Sequence, residues 1–362
     1  MIRVVPGLDV SDPEAAGPAD GRLTLLVNTV NSVGVMGKGV AKAFADRHPQ
    51  ILAPYKAACE GGMIDGGALH RVRLSPDVSV INMATKDHWR DPSHEDDVAA
   101  GLTLLALMIR IERARGREVR VLMPMPGCGN GGLSQVRVAR SMGGILGRAD
   151  AEILVSTNDE EAALALESPP SGFYAGVGSR DTPRETLEIM EGAARALSEA
   201  RMTLRSGRAR GADQAFGNGA CPPFAPRARR GGAELFDPKD VTRKSALRVA
   251  RAFHPAPERI GLTPGAPLPA PGEASVAARL MARNLFQVIG KGCDQVSAAT
   301  ACWTEGGRGG GGTGQAIRIS RALGVPVFDL GAPDGPRTAD ELARAVLEAA
   351  GRSPGPDAAP SP

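Results

Sequence analysis

The stretch Val27–Phe44, VNTVNSVGVMGKGVAKAF, constrains this chain more than any other. It continues an apolar run, Leu23–Val30 (LTLLVNTV), with the unbroken hydrophobicity of a strand covered on both faces. Gly34, Gly37 and Gly39 follow, and then Val40, Ala43 and Phe44 begin a helical spacing that stops at His48-Pro49. A strand, a glycine turn and a helix start, in that order, bring the free N–H groups of a helix N-terminus to a place where an anion can sit. A P-loop is excluded: it needs four residues between its glycines and a Ser or Thr after Gly-Lys. Here only Val35 and Met36 separate Gly34 from Gly37, and Gly39 follows Lys38. The G-x-G-x-x-G dinucleotide fingerprint is not met either.

The alternation continues. Val78–Ala84 (VSVINMA) is a second buried strand, and Glu95–Arg115 sets Val98, Leu102, Leu105 and Ile109 at helical spacing with acids first and bases last. Val119–Met125, Val136–Leu146 and Ala151–Thr157 read as strand, helix and strand. The third strand runs into a second glycine loop, Pro126-Gly-Cys-Gly-Asn-Gly-Gly132, at the strand end where open α/β sheets hold ligands. Each loop alone is as readily a tight turn; two in one domain point to a pyrophosphate held from both sides.

A break at Glu167-Ser-Pro-Pro-Ser-Gly172 precedes a restart of the pattern. Strand Phe173–Val177, a helix from Thr182-Pro183, strand Met202–Arg205, a short helix after Gly211, strand Val296–Trp303, helix Gln315–Leu323 and strand Val325–Leu330 make a second α/β domain. Cys221–Gly232 and Gly261–Gly272 read as surface loops, and the tail from about Arg352 as disordered. Two basic runs, Arg227–Arg230 and Arg243–Arg251, lack interleaved aromatics and read as a solvated loop and helix face.

Charge excludes little. The 362 residues carry 18 basic and 17 acidic side chains through residue 158 and 25 and 23 afterwards, so no basic field argues for nucleic acid. Five scattered cysteines, Cys59, Cys128, Cys221, Cys293 and Cys302, fit a reduced cytoplasmic setting. The five histidines show no metal spacing, and no metal or cofactor is expected. No 18-residue apolar stretch occurs, so no membrane partner is expected.

Three ordered motifs, Asn28-Thr-Val-Asn-Ser-Val-Gly-Val-Met-Gly-Lys-Gly39, Ile81-Asn-Met-Ala-Thr-Lys-Asp-His-Trp89 and Gly127-Cys-Gly-Asn-Gly-Gly132, together resemble the DarG-type macrodomain over about residues 1–158. That family binds ADP-ribose and removes it from thymidine bases of DNA, reversing a DarT toxin. The resemblance implies a three-layer α/β/α sandwich. It makes Lys86 the catalytic lysine at the distal ribose, with Asn31 contacting that ribose. It places Gly34, Val35, Met36, Gly37 and Gly39 in one phosphate loop and counts Asn28 among the ADP-ribose-binding residues. Pro126, Gly127, Cys128, Gly129, Asn130, Gly131 and Gly132 form the other. Asp9, within Pro6-Gly-Leu-Asp-Val10, falls to the adenine, and His88 and Trp89 to the pocket mouth. Two roles stand for Lys86: a neutral amine that attacks the anomeric carbon, which needs desolvation to lower its pKa, or a cation that stabilises the leaving group. A related human-type glycohydrolase pairs its lysine with an aspartate in the second glycine loop; Asn130-Gly-Gly stands there instead.

The later glycine turns are similar to the SLOG superfamily, the Rossmann-like group that includes DprA and the LOG enzymes, over about residues 171–331. The resemblance implies a doubly wound α/β domain. Its nucleotide site is formed by Gly178, Ser179, Arg180, Ser206, Gly207, Gly211, Asp213, Arg283, Asn284, Gly312, Thr313 and Gly314. Gln315 stands where LOG enzymes carry a glutamate, which argues for binding without hydrolysis. Arg205, Arg208 and Arg210 flank the turn as phosphate candidates or as solvated arginines.

The expected organisation is a macrodomain at 1–158, a linker at 159–171, a nucleotide-binding domain at 172–331 and a C-terminal helix and tail at 332–362. The expected activity is removal of ADP-ribose from modified nucleic acid. The alternatives are a non-catalytic binder of an ADP-ribose-derived signal, or a hydrolase of protein-linked or O-acetyl ADP-ribose. Expected partners are ADP-ribose or ADP-ribosylated nucleic acid, a nucleotide ligand at the second domain, and a DarT-like toxin encoded elsewhere. The second domain is the expected oligomer surface.

Overall fold

The computed structural model describes residues 1–167, 171–207, 209–221, 232–291 and 295–352. Arg208, the run Arg227–Arg230, Cys293 and the tail beyond Arg352 therefore lie outside the described residues. The chain divides into two compact units. One comprises Met1–Ser168, Val241–Arg279 and Lys291–Asp294; the other comprises Pro169–Asp240, Leu280–Gly290 and Gln295–Pro362.

The first unit is built on strands β1 (Ile2–Val4), β2 (Leu23–Val30), β3 (Leu69–Arg73), β4 (Val78–Ala84), β5 (Val119–Pro124) and β6 (Glu152–Ser156). Their order is β1-β6-β5-β2-β4-β3. All neighbours are parallel except β3, which runs antiparallel to β4 as an edge. The helices are α1 (Gly39–Arg47), α2 (Leu52–Glu60), α3 (Glu95–Ala114), α4 (Gln135–Leu146) and α5 (Glu160–Leu166). Strand side chains alternate between faces. Leu26, Val30, Val80, Ala84, Leu122 and Leu154 pack with Phe44, Ile51 and Tyr55 of the α1–α2 side. Met83, one residue out of phase with Ala84, lies instead against Gly101 of α3. Helices on both faces explain why β2 and β5 are buried along nearly their whole length and are mostly apolar.

Local signals account for most of these ends. Glu95, Asp96 and Asp97 complement the positive N-terminus of α3. The Ser134 side chain accepts from Arg137 N at the start of α4. Within the segment 159–171, residues 160–166 form a helix. Asp159 Oδ1 accepts from Ala162 N at 2.9 Å and caps α5, which buries Ala162 and Leu166.

The second unit holds β7 (Phe173–Gly176), α6 (Arg184–Glu199), β8 (Thr203–Ser206), α7 (Ala212–Ala220) and β9 (Ala233–Leu235). Between β9 and the next strand the chain carries α8 (Lys244–Phe253) and α9 (Val276–Ile289), and it ends in β10 (Thr300–Cys302), α10 (Gly311–Ala322), β11 (Val327–Asp329) and α11 (Ala339–Ala349). The five strands of this unit are all parallel, in the order β11-β10-β7-β8-β9. Met190, Ala194 and Leu197 of α6, Phe216 of α7 and Leu342 and Val346 of α11 share one core cluster with Tyr174, Leu204 and Ala301. On the other face, Thr300 Oγ1 and Ser320 Oγ of α10 hydrogen-bond at 2.7 Å.

The boundary between units does not fall once along the sequence, because residues 241–279, α8 included, belong to the first unit. The basic run Arg243–Arg251 is correspondingly not a solvated face. Arg243 forms a two-point pair with Asp97, which is 0% exposed, and buried Arg248 pairs with Asp65. Among the described residues no helix is long and apolar enough to cross a membrane.

Candidate active site

The C-terminal ends of β5, β2 and β4, three neighbours in the first sheet, open into a cleft of about 670 Å³. Three segments line it: Asn31–Ala41 after β2, Thr85–Ser93 after β4 and Met125–Gly131 after β5. Asn31 builds the first wall. Its Oδ1 accepts from Val33 N at 3.0 Å and Val35 N at 3.3 Å, and its Nδ2 donates to Val35 O at 2.6 Å. The Tyr55 hydroxyl donates to Asn31 O at 2.7 Å. The side chain is therefore spent on shaping the glycine loop, with Gly34 at φ +79° closing the turn. No side chain caps α1, so its first N–H groups lack a capping acceptor, and Gly39, Val40 and Ala41 line the cleft.

The second loop reaches the first. A Cβ on Gly39 would stand 2.9 Å from Asn130 Nδ2, so glycine is what allows the loops to meet there. Ser93, which the sequence did not single out, ties this loop to β4 and α3. Its N–H donates to Gly131 O at 2.9 Å and its hydroxyl to Thr85 Oγ1 at 3.2 Å. A Cβ on Gly131 would overlap Ser93 Oγ and the Gly127 carbonyl, whereas one on Gly129 would meet nothing within 4 Å. Gly131→Ala is expected to lower stability by about 1–3 kcal/mol in thermal unfolding, and Gly129→Ala to leave the melting temperature in place.

Lys86 sits where the loops converge. It is 8% exposed, and its Nζ donates to Asn130 O at 2.8 Å. Burial lowers its pKa below the ordinary lysine value, with the Asp91 charge pulling weakly the other way. Among the residues lining the cleft there is no carboxylate. Trp89, 47% exposed, and Arg90 stand at the rim, with the guanidinium 4.4 Å from the ring centroid.

Of the residues singled out from sequence, Asn31, Val35, Gly37, Gly39, Lys86, Trp89, Gly127, Gly129, Asn130 and Gly131 line this cleft. The others do not. Asp9 is held by Ser11 and Arg47, whose hydrogen bonds and charge keep its carboxyl below the usual range against a burial penalty. Asn28 is fully buried and donates to Asn82 Oδ1 at 2.9 Å, and Met36 belongs to the core. His88 stacks on Trp89 from outside. Cys128 lies behind its loop, its thiol pushed up to about 12, chiefly by burial. Gly34, Pro126 and Gly132 shape the turns without lining the space.

The second unit has its own cleft of about 870 Å³ at the ends of β7 and β10, where the strand order reverses. Gly178, Ser179, Arg180, Asp213, Arg283, Asn284, Gly312 and Thr313 line it. Ser206, Gly207, Gly211 and Gly314 form a layer behind. A Cβ on Gly207 would overlap both Arg283 and Asp213, and one on Gly211 would crowd Ser179 and Arg180. Burial pushes the Asp213 carboxyl up to about 6, against the pull of Arg283 and backbone N–H groups. Gln287, fully buried and lining the cleft, was missed; neither of its amide atoms has a hydrogen-bond partner among the described residues. Arg205 points elsewhere: it pairs with Glu234 at 2.8 Å and lies over the Phe173 ring. Arg210 does not line the cleft, and Gln315 is buried against Arg318.

Residues 27–142 match the family model described as the Macro domain. This part of the chain is similar to the DNA ADP-ribosyl glycohydrolase of Mycobacterium tuberculosis, 42% identical over 111 residues and covering 30% of either chain. A second relative, the DNA ADP-ribosyl glycohydrolase of Thermus aquaticus, is 43% identical over 136 residues, covering 37% of this chain and 34% of its own. Of the solved structures, the macrodomain of Mycobacterium tuberculosis DarG is 32% identical, covering 44% of this chain and 99% of its own, with a TM-score of 0.37. This chain spans about a third of the length of the curated relatives it matches. The residues that line the first cleft all fall within the stretch that matches the Macro domain model.

Proposed function

We propose that the macro domain is a hydrolase that removes ADP-ribose from modified nucleic acid, with thymidine-linked ADP-ribose as its substrate. One observation carries this: a buried lysine amine, held on Asn130 O, lies where two glycine loops meet in the cleft. The glycine loops and the uncapped start of α1 supply N–H donors for a pyrophosphate. Lys86 in its neutral form attacks the anomeric carbon of the distal ribose. The carbon–nitrogen bond to the base breaks and its electrons leave with the base, which takes up a proton. The ring C–O bond of the resulting lysyl glycosylamine then opens, the ring oxygen taking a proton, to give a Schiff base; water adds to its carbon, the bond to the Lys86 nitrogen breaks, and the amine and free ADP-ribose are returned. The attack needs a neutral amine, and desolvation shifts Lys86 in that direction by lowering its pKa. A transferase encoded elsewhere, of the DarT type, would write the mark that this chain erases.

A sequestering binder is the second reading, favoured by the absence of any carboxylate among the residues that line the cleft. One experiment separates the two. The full chain is incubated with ADP-ribosylated thymidine DNA, an ADP-ribosylated protein and O-acetyl-ADP-ribose, and released ADP-ribose is followed by chromatography. Release from the DNA is expected. Calorimetric binding of ADP-ribose with release from none of the three would leave only the binder.

For the second unit we propose nucleotide binding without hydrolysis. The N–H groups that start α10, at Gly311, Gly312 and Thr313, have no side-chain cap and would take a phosphate; Arg283 stands nearby for its charge. The unpartnered Gln287 amide would pair with the edge of a base. A Gln287→Ala chain that bound adenine and guanine nucleotides as well as the wild type would remove that role.

A further inference from the structure

The macro domain match ends at residue 142, yet one side chain from far beyond it reaches the segment that carries Lys86. Arg243 stands at the N-cap of α8, with Nε donating to Asp97 Oδ1 at 2.8 Å and Nη2 to Asp97 Oδ2 at 2.6 Å. This side-on grip uses one hydrogen of Nη2 and leaves the other directed at Asp87 Oδ2, 3.1 Å away. Asp97 is 0% exposed in the first turn of α3, so the anchor end is dry and fixed. Gly66 makes room for it, since a Cβ there would overlap the Asp97 carboxylate.

Asp87 is the residue after Lys86, and it is tied to the opposite wall. Its carbonyl accepts from Ser32 N at 2.9 Å, and the Ser32 hydroxyl donates to Lys86 O at 3.3 Å. The backbone just after the Lys86 side chain is thus held by Ser32 of the first glycine loop, and the Asp87 side chain by a guanidinium from α8. The Asp87 limb is largely exposed and adds little energy by itself. Its effect is geometric: misplacing a reacting group by about 1 Å costs on the order of 10²-fold in rate.

We propose that Arg243 is a positioning residue for Lys86: anchored on buried Asp97, it holds Asp87 and thereby fixes the amine against Asn130 between the two glycine loops. This rests on the reading of Lys86 as the reacting amine. It also makes residues 241–279 part of the macro domain's working structure and not an appendage. Lys38 and Arg90 line the same cleft, Asp87 adjoins Lys86, and Asp91 raises the pKa of the amine through its charge against the effect of burial, so a segment loosened to water changes its titration.

The test uses the full chain and conservative variants that keep a charge at the anchor. Arg243→Lys retains one contact to Asp97 but has no fork to share with Asp87; Asp87→Asn weakens the other end. Each is expected to lower kcat for ADP-ribose release by about 10- to 100-fold with KM within about twofold. The double variant should be no worse than the singles, because both break one link. Arg248→Lys, on the same helix but paired with Asp65, serves as the control and should keep wild-type kcat. A second readout needs no turnover: NMR titration of the Lys86 amine, assigned by its loss in Lys86→Arg, should move up toward the ordinary lysine value in both variants. Unchanged kcat and unchanged titration in folded variants would overturn the positioning role, as would an equal loss in Arg248→Lys. If the wild type releases no ADP-ribose while the titration still moves, the hydrolase fails and the positioning stands.

Discussion

Lys86→Ala is expected to lower ADP-ribose release from DNA by at least about 10²-fold, while the chain still binds ADP-ribose in calorimetry. Of the cationic side chains that line the cleft, Lys38, Lys86 and Arg90, the Lys86 amine is the buried one, and it contacts Asn130 O. The glycine loops keep their own supports without it: Asn31 holds the first, and Ser93 holds the second. Binding and turnover should therefore separate in this variant. Burial disfavours the ammonium and lowers the pKa, so the neutral form appears at lower pH than in a solvated lysine. Wild-type release should rise with pH through that lowered value and level off above it. A fall over the same range would make Lys86 a cation that stabilises the leaving group. Lys38→Ala, whose side chain is exposed at the cleft edge, should cost far less than Lys86→Ala.

Arg243→Ala carries the largest expected loss of stability, about 3–5 kcal/mol, against a total of about 5–15 kcal/mol for a typical domain. The reason is the asymmetry between partners. Asp97 is fully buried, so removing the guanidinium strands a carboxylate with no water to replace it. Trp303 belongs to the second unit and Trp89 to the first, so denaturant unfolding of a Trp303→Phe background reports the first unit through Trp89 fluorescence. Loss confined to a few tenths of a kcal/mol would mean that the pair is no more than a surface contact.

Much of the first sheet was legible in the sequence. Leu23–Val30 and Val78–Ala84 form strands with the bounds their apolar runs suggest, because parallel strands covered on both faces must be hydrophobic throughout. The short strands Ile2–Val4, Leu69–Arg73 and Ala233–Leu235 were not legible. Each is three to five residues long and only partly buried; Ile2–Val4 and Ala233–Leu235 are defined by pairing with strands far along the chain, and Leu69–Arg73 by pairing with the adjoining Val78–Ala84 as an edge. Helix α5 had a readable signal, Asp159 followed by two glutamates, but it adjoined the Pro-rich break and was absorbed into it.

In the candidate site, the residues that touch the cleft were found because glycine turns and a lysine leave marks in local sequence. Ser93 and Gln287 left none: serine and glutamine are common surface residues, and only their burial gives them weight. Arg205 and Arg243 departed from expectation for the same reason. Beside a glycine turn Arg205 read as a phosphate candidate or a solvated side chain, yet it is buried over the Phe173 ring; within a basic run Arg243 read as solvated, yet it grips a buried aspartate.

The order of strands, glycine turns and helix starts, set by periodicity and by glycine's access to positive φ, was determined by the sequence alone. That order also placed Lys86 just past the end of its strand. What surrounds the amine was decided by tertiary structure. Desolvation and the pairing of Asp87 and Asp97 with Arg243 depend on chain segments brought together over about 150 residues, and the partners are 146 and 156 positions apart. No local pattern encodes such a contact, because its energy comes from the water that folding removes.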